Sequence, residues 1–133
     1  MKMAVSQEVQ REAHKIVGKH VYGNLYEVRV ENLTEAERLK EIVVGAAEEG
    51  NLHIIEMIVK KFNSYNEFPG GVSVIALIEE SHIALHTWPE SRYATLDIYS
   101  CGEKADPDKA FRYIIAKLAP KKYKTFKADR STK

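Results

Sequence analysis

The chain has 133 residues, a length that fits one domain built around one hydrophobic core. Its 44% hydrophobic and 29% charged residues are typical of a globular protein in water, and a net charge of +1 gives no strong field for nucleic acid or an anionic membrane. No apolar run approaches the roughly 18 residues of a membrane span, and the polar N-terminus is unlike a signal peptide. The single cysteine cannot form an internal disulfide, which favours the cytoplasm.

The N-terminal half of the chain predicts two strands. Residues 1–15 are polar and are expected to be frayed. Apolar and polar side chains alternate over residues 20–30, the pattern of a strand with one buried face. A second strand is predicted over 52–59. The segment 63–71 contains Asn, Ser, Pro and two Gly, which predict a loop.

Two helices are predicted from their capping residues and their apolar stripes. Thr34 and Glu37 form a capping-box pattern that would open the first helix, and Gly50 stands where its C-cap is expected. Asp106 and Pro107 are an N-cap followed by proline at the first helical position. The apolar stripes recur at helical spacing and consist of Leu39, Ile42, Val43, Ala46 and Ala47 in the first helix and of Ala110, Phe111, Ile114, Ile115 and Leu118 in the second.

The remaining segments predict four more strands. Residues 72–78 are almost wholly apolar, which fits a central strand buried on both faces. Shorter strands are predicted over 83–87, 93–99 and 123–128. The order of elements predicts an α+β fold: a two-layer sandwich in which an antiparallel sheet carries the helices on one face. No linker or internal repeat divides residues 1–133, so a single domain is expected.

The serine that follows Glu80 is the centre of the candidate chemistry. A hydrolytic nucleophile would combine Ser81 with His82 or His86 and an acid such as Asp97, but the Gly-x-Ser-x-Gly elbow is missing and Ser81 precedes a strand rather than a helix. A metal site would use His82 and His86. In a strand, residues four apart lie about 13 Å from each other, too far to share one ion, so no metal site is expected.

The third possibility is self-processing of the chain. In a tight turn the Ser81 hydroxyl can attack the carbonyl of Glu80 and convert the amide to an ester. Loss of the Ser81 α-proton then eliminates the ester, and the new N-terminus hydrolyses to a pyruvoyl ketone. Such a ketone forms a Schiff base with an amine and acts as an electron sink. The cleavage requires an oxyanion stabiliser and a base.

Four blocks of residues resemble a known family. They are Gly18-Lys19-His20, Gly71-Val72-Ser73, Ser81-His82-Ile83-x-x-His86-Thr87-Trp88-Pro89-Glu90 and Tyr93-Ala94-Thr95-x-Asp97-x-Tyr99-x-Cys101-Gly102-Glu103. At these spacings the chain resembles the small pyruvoyl-dependent S-adenosylmethionine decarboxylases over residues 17–128. The same fold serves archaeal and bacterial arginine and ornithine decarboxylases, so the resemblance leaves the substrate open.

The resemblance implies a carboxy-lyase of polyamine and spermidine biosynthesis that is made as a zymogen. Autocatalytic cleavage between Glu80 and Ser81 would divide the domain into a β chain, 1–80, and an α chain, 81–133. The cofactor would be a covalent pyruvoyl group made from Ser81, with no metal. The implied partners are a small-molecule substrate and a second copy of the chain, as a homodimer of αβ protomers with their sheets packed together.

The resemblance also assigns roles to individual residues. Ser73 would hold the processing intermediate by a hydrogen bond, His86 would take the α-proton of Ser81, and Cys101 would reprotonate the product carbon after carbon dioxide leaves. Each residue type alone is more often structural, a lone Cys above all, and only the joint pattern favours catalysis. A non-enzymatic binding module of the same fold is the alternative, and a chain that stays uncleaved would favour it.

The substrate is predicted from departures within the family pattern. S-adenosylmethionine decarboxylases place a Phe six residues before the serine of Gly-Val-Ser, where it stacks on adenine, whereas Glu67 stands six residues before Ser73. A carboxylate suits a guanidinium better than a purine. A one-residue shift of the loop would return the stacking role to Phe68, and Glu90 matches a carboxylate that binds ribose. The sequence therefore favours arginine, with S-adenosylmethionine second and ornithine third.

Overall fold

The computed structural model describes residues 14–64 and 66–132. Most of the segment expected to be frayed, 1–15, lies outside the described residues. The elements within them, in chain order, are β1 (Gly18–Tyr26), α1 (Ala36–Glu49), β2 (Ile54–Lys61), β3 (Val72–Ile78), β4 (Ser81–Trp88), β5 (Tyr93–Cys101), α2 (Pro107–Leu118) and β6 (Lys122–Asp129), with 3-10 turns at Val30–Asn32 and Pro89–Ser91.

The six strands form one antiparallel sheet in the described part of the chain. Its order is β2-β3-β4-β5-β1-β6, and both helices pack on one of its faces. This confirms the predicted α+β sandwich. We refer to the helix-covered face as the inner face and to the other as the open face. No helix among the described residues has the length and apolar character to cross a membrane.

The core lies between the inner face and the helices. Inward side chains alternate along each strand, as the period of two requires, and the apolar stripes of both helices pack against them. The largest fully buried side chains are Leu25, Val28, Leu33, Leu39, Val43, Ile78, Ile83, Leu85, Leu96, Ile98, Ile114 and Leu118.

The predicted burial of β3 on both faces is wrong for this chain. Val74 and Ala76 are buried on the inner face, but Ile75 and Leu77 are 41% and 51% exposed on the open face. The reason is that both helices lie on the same side of the sheet. An apolar strand face is therefore left bare.

The predicted helix boundaries are partly confirmed. The capping box at Thr34 is wrong: the N-cap of α1 is Glu35, and no side chain caps the helix start. Gly50 is the C-cap as predicted, with a φ of −88° instead of the left-handed conformation. In α2 the prediction holds in detail, since the Asp106 carboxylate accepts a hydrogen bond from the Lys109 N–H at 3.0 Å.

Candidate active site

The turn between β3 and β4 presents the Glu80–Ser81 peptide. Ile78 pairs directly with Ser81, so the turn contains only two residues, and β4 begins two residues before the predicted strand. The carbonyl oxygen of Glu80 accepts a hydrogen bond from the N–H of Cys101 at 2.9 Å. Ser81 has a φ of 154°, outside the range that a residue with a side chain normally adopts in a strand. The peptide is therefore both strained at Ser81 and held at its carbonyl.

Ser100 lies directly across the sheet from Ser81. The two residues are partners in the β4–β5 register. Because Glu80 and Cys101 make a hydrogen bond beside them, Ser81 and Ser100 have the closer spacing of a non-hydrogen-bonded pair, with α-carbons about 4.5 Å apart. Ser100 is fully buried, and its Oγ is the one buried side-chain oxygen or nitrogen of the described residues without a hydrogen-bond partner. An unpaired hydroxyl thus faces the predicted nucleophile.

His53, the residue directly before β2, binds the same turn through three hydrogen bonds. Its N–H donates to Glu80 Oε1 at 3.0 Å, its Nδ1 lies 2.7 Å from Glu80 Oε2, and its carbonyl accepts from the N–H of Glu79 at 2.8 Å. His53 is not among the site residues predicted from the sequence. No local pattern marks it, because the contact depends on how β2 pairs with β3.

Ser73 and His86 form a second cluster near the opposite end of β4. They face each other across β3 and β4, and Ser73 Oγ lies 2.7 Å from His86 Nδ1. The His86 ring is also 6.3 Å, centre to centre, from Trp88. When Nδ1 carries the proton of the neutral ring and donates it to Ser73 Oγ, Nε2 is unprotonated and free to accept a proton.

The two clusters lie far apart within one chain. Ser81 and His86 are five residues apart on β4, which is about 17 Å by strand rise, and an odd separation points their side chains to opposite faces. His86 pairs with Thr95, six residues before Cys101 on β5, which is about 20 Å. The structure therefore brings Glu80, Ser81 and Cys101 together and leaves the Ser73–His86 pair remote from them.

A cavity of about 300 Å³ opens beside the Ser73–His86 pair. Trp88 and Glu90 line it, together with residues of the 62–71 loop. Glu67 and Phe68 lie in that loop but do not line the cavity, and both are exposed. Of the three predicted substrate-binding residues, the structure places only Glu90 next to His86.

His20 and His82 form a separate network on the open face. His20 Nε2 and His82 Nε2 each lie 3.0 Å from the same oxygen of Asp97. Asp97 is thus engaged by these two rings, while His86 is engaged by Ser73. Among the described residues, no hydrogen bond joins the Ser81 hydroxyl to a histidine, so the Ser-His-Asp arrangement of a hydrolase is not formed.

Comparisons with known proteins identify the family of this chain. Residues 19–131 match the model of a family described as S-adenosylmethionine decarboxylase. An arginine decarboxylase proenzyme of Hyperthermus butylicus is 50% identical over 98% of this chain and 93% of its own, and one of Ignicoccus hospitalis is 50% identical over 89% and 80%. The crystal structure of the adenosylmethionine decarboxylase from Aquifex aeolicus superimposes with a TM-score of 0.78 at 33% identity, covering 88% of this chain and 92% of that one. The chain belongs to the S-adenosylmethionine decarboxylase family.

Proposed function

We propose that this chain is the proenzyme of a pyruvoyl-dependent arginine decarboxylase, which converts arginine to agmatine and carbon dioxide. The observation that supports arginine as the substrate is the 50% identity, over most of the chain, to proteins named arginine decarboxylase proenzyme. At position 67 the chain has Glu where an aromatic residue would stack on adenine, which disfavours S-adenosylmethionine.

The geometry of the turn fits a pyruvoyl group at residue 81. A φ of 154° is unfavourable for an L-residue and costs on the order of 1–3 kcal/mol. The α-carbon of a ketone is planar and carries no such restriction. Cleavage at the Glu80–Ser81 bond also releases Ser81 from the peptide that fixes this angle. The site thus favours the product of processing over its precursor.

The first step of cleavage uses residues of one chain. The Ser81 hydroxyl attacks the Glu80 carbonyl carbon, the amide nitrogen takes the hydroxyl proton, and an ester replaces the amide. Negative charge develops on the Glu80 oxygen, where the N–H of Cys101 already donates at 2.9 Å. A preorganised backbone donor at that position is what an oxyanion hole provides, a contribution of about 3–4 kcal/mol in other enzymes.

The second step requires a base, and His86 of the same chain lies too far from Ser81 to act as that base. His86 lies about 17 Å along β4 from Ser81, so we infer that the partner subunit's His86 takes the α-proton. Loss of that proton expels Glu80 as a carboxylate and leaves a dehydroalanine at residue 81. Its hydrolysis consumes one water, releases ammonia and leaves the pyruvoyl group at residue 81.

The open face supplies a surface for such a dimer. Several apolar side chains are exposed together on this face, and such patches commonly mark protein–protein interfaces. A twofold axis running across the strands between two open faces would lay the Ser81–Cys101 end of one subunit over the Ser73–His86 end of the other, and would make both sites equivalent. The exposed apolar residues of the open face are Tyr22, Ile58, Ile75, Leu77, Trp88 and Phe126.

The decarboxylation site would then lie between the subunits. The pyruvoyl group would supply the electron sink for the loss of carbon dioxide. Cys101, whose thiol is free and partly exposed, would donate the proton that replaces carbon dioxide. The partner subunit's Glu90, in the cavity beside His86, would offer its carboxylate to the guanidinium of arginine.

S-adenosylmethionine is the second candidate substrate. The structural relative from Aquifex aeolicus is named as an adenosylmethionine decarboxylase. Glu90 lines the cavity, where its carboxylate would bind the ribose of the nucleoside. Phe68 is exposed next to this cavity and could reach a purine if the loop shifts by one residue. Ornithine, which lacks both the guanidinium and the nucleoside, is third.

The test of the function is carbon dioxide release from carboxyl-labelled arginine, S-adenosylmethionine and ornithine, measured on one preparation whose intact mass is known. We expect two chains, 1–80 and 81–133, and release from arginine. The Ser81→Ala variant should remain one chain and release nothing. Release from S-adenosylmethionine alone would identify S-adenosylmethionine as the substrate. An uncleaved wild-type chain would favour a binding module.

A paired substitution tests which carboxylate binds the guanidinium. Glu90→Gln is expected to raise the KM for arginine by about 10- to 100-fold, the loss of one charged hydrogen bond. Glu67→Gln is the matched change outside the cavity and should raise the KM by less. Steady-state kinetics of both variants decide the matter. A larger effect at Glu67 would mean that the loop turns its carboxylate inward in the assembled enzyme.

A further inference from the structure

The proposed chemistry gives no role to His53, yet this residue makes three of the contacts that fix the Glu79-Glu80 turn. Glu80 is the residue whose carbonyl is attacked. Its side chain is only 16% exposed although it carries a charge, while the His53 side chain is 58% exposed. Both carboxylate oxygens of Glu80 are bonded to His53. A charged side chain turned inward and held by two donors from one residue is a specific arrangement.

The carbonyl and the carboxylate of Glu80 are held by residues from different parts of the sheet. The N–H of Cys101, at the end of β5, holds the carbonyl oxygen at 2.9 Å. His53, before β2, holds the carboxylate at 2.7 and 3.0 Å. With the carbonyl and the side chain both fixed, the plane of the Glu80–Ser81 peptide has little freedom to rotate. The direction from which the Ser81 hydroxyl approaches the carbonyl carbon is then defined, and reactions of this kind depend steeply on such alignment.

We propose that His53 is a positioning residue for self-cleavage: its grip on the Glu80 carboxylate holds the Glu80–Ser81 peptide in the orientation that the Ser81 hydroxyl can attack. The proposal rests on the proposed function, because it requires cleavage at this bond. His53 exchanges no proton with the reacting atoms. The bond that forms joins Ser81 Oγ to the Glu80 carbonyl carbon, and the bond that breaks is the amide bond.

The grip depends on pH in a defined direction. The hydrogen bond and the charge of Glu80, followed by the charge of Glu79, raise the pKa of His53 above its usual value, and both of these groups come from the turn. Partial burial acts to raise the pKa of Glu80, but the hydrogen bonds from His53 outweigh it and lower that pKa. The pair is therefore fully charged between the lowered pKa of Glu80 and the raised pKa of His53. It weakens as the pH rises through the pKa of His53.

A metal ion is the competing interpretation of the same residues. Ligand atoms of His53, Glu79 and Glu80 all lie within 4.8 Å of one another. However, Nδ1 of His53 is already 2.7 Å from Glu80, the distance of a charge-assisted hydrogen bond. The residues satisfy one another without an ion, and cleavage should therefore proceed equally in the presence of a chelator.

The experiment follows cleavage of freshly synthesised chains in a cell-free system by the decay of the intact 133-residue band. His53→Ala should cleave about 10- to 100-fold more slowly than the wild type, the cost of a misaligned reacting group. His53→Asn keeps a donor for the carboxylate but does not titrate, and should recover much of the rate. Glu79→Gln is the control, because the hydrogen bond between Glu79 and His53 comes from the backbone N–H of Glu79 and survives the substitution.

The ratio of the wild-type rate to the His53→Asn rate, followed over pH, separates positioning from mere stability. We expect this ratio to fall as the pH rises through the pKa of His53. Equal rates in the wild type and His53→Ala, a ratio independent of pH, or cleavage that stops in the presence of a chelator would overturn the proposal. If His53→Ala does not fold, His53→Asn and its pH profile still decide. A wild-type chain that never cleaves would instead contradict the proposed function itself.

Discussion

Co-expression of the Ser81→Ala and His86→Ala variants is expected to restore cleavage that neither variant shows alone. Ser81→Ala lacks the nucleophile. Ser81 and His86 lie about 17 Å apart on one strand, and we proposed above that each site uses the histidine of the other subunit. Every site of a His86→Ala dimer would then lack the base. A mixed dimer contains one complete site, made of Ser81 from one chain and His86 from its partner.

The cleaved fraction of each variant in the mixture follows from random assembly of the dimers. If the two variants assemble at random, half of the dimers are mixed, and in each of these only the His86→Ala chain is cleaved. Half of the His86→Ala chains and none of the Ser81→Ala chains should therefore be split, which intact-mass analysis resolves. Absence of any cleavage in the mixture, with dimers demonstrated, would mean that each chain processes itself.

Two further variants serve as controls for this test. Ser73→Ala should behave as His86→Ala does, because Ser73 Oγ bonds to the His86 ring at 2.7 Å, and should likewise be rescued by Ser81→Ala. Ser73→Ala and His86→Ala belong to the same cluster and should not rescue each other. In His86→Ala alone the first step remains possible. The ester it produces should be split by hydroxylamine, which shows that the variant is folded.

The sequence predicted the fold well because the inner face carries a strong pattern. Apolar residues recur with a period of two in the strands and of 3.6 in the helices, so the elements and the buried side chains are marked residue by residue. The bare open face was not predictable in the same way. Ile75 and Leu77 look like core residues in sequence, and only the placement of both helices on one side leaves them exposed.

The separation of the site into two clusters was also hidden by the sequence. Ser81 and His86 are five positions apart, and closeness along the chain suggests closeness in space. In an extended strand it means the opposite, because each residue advances the chain by about 3.4 Å. The contacts at the turn were hidden for another reason. His53 and the N–H of Cys101 reach Glu80 through strand pairing, which no local motif encodes.

Substitution of Cys101 should separate processing from decarboxylation. The group of Cys101 that touches Glu80 is its backbone N–H, which survives any substitution except proline. The proposed proton donor is its thiol. Cys101→Ala and Cys101→Ser should therefore still cleave into two chains, while kcat for carbon dioxide release falls by about 100- to 10,000-fold, the range for loss of a general acid.

The measurement is kcat per mole of pyruvoyl group, so that incomplete processing is not mistaken for slow turnover. The ratio of agmatine to carbon dioxide adds a second readout, because a site without its proton donor should release carbon dioxide without forming an equal amount of the amine. Wild-type turnover in Cys101→Ala would exclude the thiol as the donor. Failure of Cys101→Ala to cleave, with its fold intact, would show that the side chain as well as the backbone supports the attack on Glu80. The structure favours intact cleavage with reduced turnover in both Cys101 variants. The reason is that β5 presents the backbone N–H to the turn, whatever side chain residue 101 carries.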